Sequence, residues 1–417
     1  MTKVQPRVRA IAWLLSLAYF ASYVMRINFS VVIVEVCADL GKQKEEIAFI
    51  LTALTIAYGL GQILCGIVGD KIKPRVMLTG GLALAIACNV AMFFTTHNVI
   101  LMAVIWGING FAHSMFWPPI VKLMAMHLSE GEYAYASVRV TWGSSIATIL
   151  LYLTCPFLLF VMKWNTIMLL CALIGSAIMV AWVILCPKLF KESKEERKSL
   201  VSVQENVKKP PSYVFLPLAL IMVAIIMQGA LRDGVTAWMP SYLVEAFAIP
   251  SKWSILITVV LAVFSMISFT VFDYINRRFF KNEVFCAGFI FALATMSAVM
   301  LFVSNVLGIA IPSIILMSIL VACMHGTNLM LIAIAPKRFK NSGKVSTYSG
   351  IMNACTYVGA AVSTYAFAAL ATAKGWGVVI GIWIGVSFLG CALCFTALPK
   401  WRKFKNEFDI PDGNREE

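Results

Sequence analysis

Charge is what this sequence has least of: 13% of its 417 residues are Asp, Glu, Lys or Arg, where soluble domains carry roughly 25%. A chain so poor in charge cannot turn most of its surface to water, which excludes an ordinary soluble globular protein. Polar connecting segments are equally scarce, so a string of soluble domains is excluded as well. Histidine occurs four times and the eleven cysteines are scattered through apolar stretches. Cys391 and Cys394 make a C-x-x-C inside the last apolar stretch, with no second pair and no histidine partner. No disulfide framework, metal site or cofactor follows from such spacing, and the cysteines read as small apolar packing residues. No nucleophile, base or metal cluster of an intramembrane enzyme stands out either.

What the sequence has is apolar length. Residues of hydrophobic type make up 60% of the chain, in runs of about 18–25, the length that crosses a ~30 Å hydrocarbon core as helix. Twelve spans follow, at 11–36, 47–69, 76–96, 99–126, 134–160, 164–186, 213–240, 253–273, 284–304, 308–334, 345–372 and 375–398. The fold class is therefore all-α and polytopic, embedded in a lipid bilayer. The one long polar stretch, 187–212, divides the chain into an N-terminal bundle (1–186) and a C-terminal bundle with a short polar tail (213–417). The net charge of +14 lies in alternate loops rather than on one face, which signals membrane orientation and not a nucleic-acid partner. With the N-terminus inside, the loops and tails on that side outnumber the other in Lys and Arg by about five to one. Both termini are thus expected in the cytoplasm, in a plasma (inner) membrane protein without a cleavable signal.

The two sets of six spans echo one another. Arg26 precedes Asp70, at the end of the second span, by 44 residues, and Arg232 precedes Asp273, at the end of the eighth, by 41. Each acid opens a short basic loop, and His113 and His325 hold comparable places in the fourth and tenth spans. Three such pairings indicate a duplicated six-helix unit. Four basic residues lie outside loops and tails: Arg26, Lys122, Arg139 and Arg232. A charge at a span centre costs about 2.5–3.5 kcal/mol even on insertion scales, so it is a functional candidate by default. Arg26 is roughly 20 Å into its span, too deep to snorkel easily, and Arg232 is similarly placed, whereas Lys122 and Arg139 lie nearer the inner ends. A bland alternative is an internal ion pair; Asp233, Glu35 and Asp39 are the nearby acids, and residues adjacent on a helix point about 100° apart, so Asp233 need not meet Arg232. The sharper reading is that both guanidiniums, planar forks suited to carboxylate or phosphate, bind an anionic substrate. Asp70, with Lys71, Arg75 and Asp273, reads either as gating machinery that bridges to a helix terminus or as a set of capped helix ends. Gly377, Gly381 and Gly385 are expected to let helices approach closely.

The segment G-I-V-G-D-K-I-K-P-R (Gly66–Arg75) resembles the loop motif of the major facilitator superfamily, and twelve spans with a central loop fit it. Within that superfamily Y-V-M-R-I-N-F-S (Tyr23–Ser30), N-G-F-A-H-S-M-F-W-P-P (Asn109–Pro119) and A-L-R-D-G-V-T-A-W-M-P-S-Y-L (Ala230–Leu243) resemble the organophosphate:phosphate antiporters, which include glycerol-3-phosphate and hexose-phosphate transporters. The resemblance implies two pseudo-symmetric bundles of the major facilitator fold, phosphoryl binding by Arg26 and Arg232, and exchange of a phosphate ester against inorganic phosphate. The same segments add His113 and Trp117 to the candidates. Two departures stand out: Gln62 where the family often carries lysine, and Gly143 where it usually carries a substrate-site histidine. They make a substrate read partly by Gln62, Tyr58, Trp142 and Ser144 plausible, with Arg139 replacing the missing charge.

The function expected is a secondary transporter of an organic anion, acting as a monomer: a sugar-phosphate or glycerol-phosphate exchanger. The alternative is a proton-coupled carboxylate symporter, for which Asp233 and Glu35 are the titratable candidates. A transporter-like membrane sensor is a third reading, but would be expected to carry an added signalling domain.

Overall fold

The structure, a computed structural model, describes residues 5–42, 44–95, 98–190 and 208–408. Among them twelve helices are long and apolar enough to cross a membrane: α1 (Pro6–Val31), α2 (Phe49–Lys71), α3 (Pro74–Phe94), α4 (Val99–His127), α5 (Glu130–Leu158), α6 (Trp164–Leu189), α7 (Ser212–Phe247), α8 (Val259–Phe280), α9 (Glu283–Val306), α10 (Ala310–Ser342), α11 (Val345–Lys374) and α12 (Trp376–Phe408). No strand occurs among the described residues. Large apolar side chains such as Phe94, Ile100, Phe157, Phe160 and Ile311 are exposed, while Asn28, Gln62, Asn89, Asn109 and Gln228 are wholly buried. Apolar outside and polar inside is the arrangement of a chain whose solvent is lipid, and helices suit that solvent because they satisfy their own backbone.

Several boundaries differ from the sequence expectation for local reasons. The stretch 191–207 of the polar connection lies outside the described residues, but α6 reaches Leu189. Its terminal carbonyls are capped, Leu189 O by Arg7 Nε at 3.1 Å and Phe190 O by the Arg75 guanidinium. α12 runs ten residues beyond the expected 398, because Trp401, Phe404 and Phe408 form a buried apolar stripe against Phe339. The segment that reads as a polar tail therefore starts as amphipathic helix. α4 is interrupted between Ser114 and Trp117, where Pro118 and Pro119 open its second piece. α1 breaks at Val32 and continues as the short helix Ile33–Leu40. α10 passes from α-helix to a π-turn at Leu329–Ile334 and then to a tight 3-10 stretch, Ala335–Ser342.

The chain forms two compact units, Met1–Val207 with Gly343–Ile351, and Lys208–Ser342 with Met352–Glu417. In the first, α1 packs on α5 and α6, α2 on α4, and α3 on α4 and α6. In the second, α7 packs on α12, α8 on α10, and α9 on α10 and α12; α7 meets α11 where Gly229 and Gly359 abut backbone of Thr356 and Ile226. Each of these pairings of the first unit thus recurs six helices later, and the expected pseudo-symmetric bundles are present. The echo extends to contacts the sequence did not suggest. Asp39 accepts from Trp164 Nε1 at 2.9 Å, and Glu245 from Trp376 Nε1 at 2.8 Å, each indole being the first residue of its helix. The glycine stripe of α12 does not serve as expected: a Cβ at Gly381 or Gly385 would meet nothing within 4 Å. Those glycines face outward, and it is Gly390, against the Phe291 ring, that permits close packing.

Candidate functional site

Arg26 sits in the last two turns of α1, where apolar sequence gives way to Arg-Ile-Asn. Its guanidinium carbon lies 4.2 Å from the Tyr23 ring centroid and 4.9 Å from that of Tyr58. Tyr23 in turn packs on Tyr19 at 5.0 Å, and Tyr19 on Trp117 at 5.3 Å. Aromatic faces of this kind hold a cation by their quadrupole, each contact being worth about 0.5–2 kcal/mol. The helix turn beneath is held just as firmly. Met25 O accepts from Asn89 Nδ2 and Asn109 Nδ2, both at 3.0 Å. Asn28 Nδ2 donates to Asn89 Oδ1 at 2.7 Å, while Phe29 N donates to Asn28 Oδ1 at 2.9 Å. Ser22, one turn before Arg26, shares a 3.0 Å hydrogen bond with His113 Nδ1, so α3 and α4 both grip the stretch of α1 that carries the guanidinium.

Sequence reasoning missed this asparagine clamp. The signal was available: Asn28, Asn89 and Asn109 are polar residues in apolar spans, and such residues join helices through hydrogen bonds.

The remaining candidates of the first unit separate into groups. Tyr58 and Gln62 are four apart on α2 and share a helix face. Gln62 is wholly buried, and neither of its amide atoms has a hydrogen-bond partner among the described residues. The indole nitrogen of buried Trp117 likewise has none. Ser144 Oγ is spent on Thr141 O at 2.7 Å. Gly143 abuts Ser16 O of α1 so closely that no Cβ fits. It is a helix-packing position in this structure. Arg139 and Trp142 stand apart from Arg26: Ser16 Oγ donates to Arg139 O at 2.7 Å, and Ser16 precedes Arg26 by ten residues, about 15 Å of helix. Glu35 is on the short helix beyond the α1 break, nine residues past Arg26. Lys122 is not a lipid-snorkelling side chain, since its Nζ caps the end of α2, 2.7 Å from Gly69 O and 2.9 Å from Asp70 O.

Asp70 takes the backbone N–H groups of Ser346 (2.9 Å) and Thr347 (3.1 Å), and the Thr347 hydroxyl, at the N-terminus of α11. These first residues of α11 belong to the first unit, and an acid there is favoured by the helix dipole. Lys71 is exposed; Arg75 caps the end of α6 and lies 5.6 Å from the Phe190 ring centroid.

In the second unit Arg232 differs from its counterpart. Its Nε and Nη2 lie 2.6 and 2.8 Å from the two carboxylate oxygens of Asp233. The sequence argument that neighbours on a helix diverge fails here because the arginine side chain is long enough to fold back. His325 has Arg232 and Asp233 as charged neighbours, as His113 has Arg26. Gln228, one turn before Arg232, donates from Nε2 to Met324 O at 3.0 Å, the counterpart of the Ser22–His113 contact. Asp273 pairs with Arg277 at 2.6 Å and so serves a different local role from Asp70. At the start of α9, buried Glu283 forms a bidentate pair with Arg338 (3.0 and 3.1 Å) and accepts from Trp401 Nε1 at 3.0 Å. This staple of α9, α10 and α12 was also missed.

The sequence profile described as "Major Facilitator Superfamily" matches residues 15–345. The glycerol-3-phosphate transporter of Bacillus subtilis (strain 168) is 28% identical over 323 residues, 70% of this chain and 70% of that protein. A probable hexose phosphate transport protein of Chlamydia trachomatis serovar D is 30% identical over 132 residues, covering 32% of this chain and 27% of that one. The solved structure of the proton:xylose symporter XylE bound to 6-bromo-6-deoxy-D-glucose superposes with a TM-score of 0.75 at 11% identity, over 93% of this chain and 95% of that chain.

Proposed function

The chain belongs to the major facilitator superfamily, whose members are non-enzymatic transport proteins, and from that premise we propose that it exchanges a sugar phosphate or glycerol phosphate for inorganic phosphate. The observation that carries the reading is Arg26. A guanidinium deep in an apolar helix is held over Tyr23 and Tyr58, on a turn gripped by Asn89 and Asn109, and the duplicated unit repeats an arginine at the equivalent place. A planar fork fixed this firmly suits phosphoryl oxygens, which accept two parallel hydrogen bonds from it. Arg26 and Arg232 bind the phosphoryl group; Tyr58, Gln62, His113 and Trp117 read the rest of the site. Trp142, Ser144 and Arg139 lie closer to the cytoplasmic end of the first unit. Transport proceeds by alternating access, with Asp70 and the basic loop that follows it (Lys71, Arg75) and Asp273 as gating groups. The protein works as a monomer with both termini cytoplasmic, and residues 187–212 join bundles 1–186 and 213–417.

A second reading has its own observation. Asp233 is a carboxylate inside a span, directly on Arg232, where protonation would release the guanidinium. That arrangement suits proton-coupled uptake of an organic anion, with Glu35 as the other candidate. Counterflow in proteoliposomes separates the two. Labelled inorganic phosphate trapped inside is challenged with external glycerol phosphate, hexose phosphates or organic acids. Efflux driven by phosphate esters alone supports exchange; uptake that needs a pH gradient and ignores phosphate supports symport and sinks the first reading.

A further inference from the structure

Arg139 is the tenth residue of α5, well inside the span. Its guanidinium carbon is 3.6 Å from the Tyr135 ring centroid and 5.0 Å from that of Trp142, so the cation is wedged between two aromatic rings of its own helix. A guanidinium has five N–H donors. Here the one hydrogen bond it makes is the long 3.4 Å contact from Nη1 to Tyr135 O, and no carboxylate among the described residues lies within ion-pair distance. Beside it, the Trp142 indole Nε1 is buried without a partner among the described residues. The neighbouring hydroxyls of Thr141 and Ser144 donate to backbone carbonyls of their own helix, and among the described residues neither is hydrogen-bonded to Arg139. Donors of two neighbouring side chains are thus left without an acceptor among the described residues, in a medium where an uncompensated charge is expensive.

We infer that Arg139 and Trp142 form a second oxyanion site, distinct from Arg26, that takes a phosphoryl group. The fork offers two parallel N–H groups, the rings fix its plane, and the indole adds a third donor from the side. The hydrogen bond from Ser16 to Arg139 O sets the backbone level of this site at about 15 Å of helix from that of Arg26. A solute phosphate pausing on its way along the first unit and the phosphate of a lipid headgroup present the same chemistry to it. The choice of a phosphoryl group rests on the proposed function; the donor set does not.

The test is the rate at which phenylglyoxal modifies Arg139, followed by peptide mass spectrometry on the full-length protein. In maltoside micelles, which carry no phosphate, inorganic phosphate at four times its dissociation constant is expected to slow labelling about fivefold. The protection should survive Arg26→Lys and weaken in Trp142→Phe, which keeps a ring but removes the donor. Protection by phosphate in micelles identifies a solute site. Slow labelling only in nanodiscs containing phosphatidylglycerol, with no added phosphate, identifies a headgroup site. Unchanged labelling in both settings overturns the inference, and protection that vanishes in Arg26→Lys overturns its independence. Protection of Arg139 in a protein that fails the counterflow assay would sink the proposed function and leave this site standing.

Discussion

Asp233→Asn isolates the feature that most distinguishes the two arginines. In the native chain the Nε/Nη2 fork of Arg232 is engaged by the Asp233 carboxylate, at 2.6 and 2.8 Å. An incoming anion that takes this fork has to displace that carboxylate, so the free energy of the pair is subtracted from binding there. Side-chain exposures of 14% and 34% place the pair between the two regimes of known magnitude. A fully exposed ion pair contributes about 0–1 kcal/mol, and a hydrogen bond to a charged group out of water about 1.5–3 kcal/mol. A middle value of about 1.4 kcal/mol corresponds to a tenfold change in affinity. Asparagine keeps the shape, removes the charge and abolishes the bidentate lock. Half-saturating phosphate in an exchange assay is therefore expected to fall about tenfold, with a lower maximal rate because the tighter complex releases more slowly. If Asp233 instead carries a coupling proton, the variant transports without dependence on a pH gradient. A folded Asp233→Asn protein whose half-saturating phosphate is unchanged or raised would refute the competition argument.

Three further predictions concern the scaffold around the site. Asn109→Leu removes one of two amides from Met25 O while Asn89 remains; it should shift thermal stability by no more than about 1 kcal/mol yet raise half-saturating phosphate, because the turn bearing Arg26 is loosened. Glu283→Gln breaks a pair whose members are 0% and 4% exposed, and it should destabilise by about 3–5 kcal/mol, with much of the loss recovered in Glu283→Leu/Arg338→Met; thermal unfolding in detergent reads both. Gly143→Ala places a methyl group against Ser16 O and should force α1 and α5 apart, seen as a loss of monodisperse protein on size exclusion; a normal elution profile would contradict the packing assignment.

The spans were legible in the sequence because lipid imposes one rule on every membrane helix, a long apolar run. What the runs could not reveal is where a helix continues in water or pauses inside the bilayer. By composition the end of α12 is a polar tail, since Arg402, Lys403 and Lys405 outweigh Trp401, Phe404 and Phe408, yet the three aromatics share a face at helical spacing. The interruption of α4 is written in Trp-Pro-Pro, which run length alone does not register. The arginines were found because a charge in an apolar span is costly, but their surroundings depend on contacts across helices: Asn89 and Asn109 reach Met25 from other spans. Arg232 and Asp233 show the opposite limit, a local contact that backbone geometry argues against and side-chain length permits.

The most direct test of the central claim compares native protein with Arg26→Lys in proteoliposomes loaded with labelled inorganic phosphate. Lysine keeps the charge and loses the planar fork. The absence of one charge-assisted hydrogen bond, about 1.5–3 kcal/mol, should lower exchange with external glycerol phosphate or hexose phosphate by roughly 10- to 100-fold, with insertion and folding intact. Native protein that shows no ester-driven efflux, or Arg26→Lys protein that exchanges at the native rate, would contradict the account.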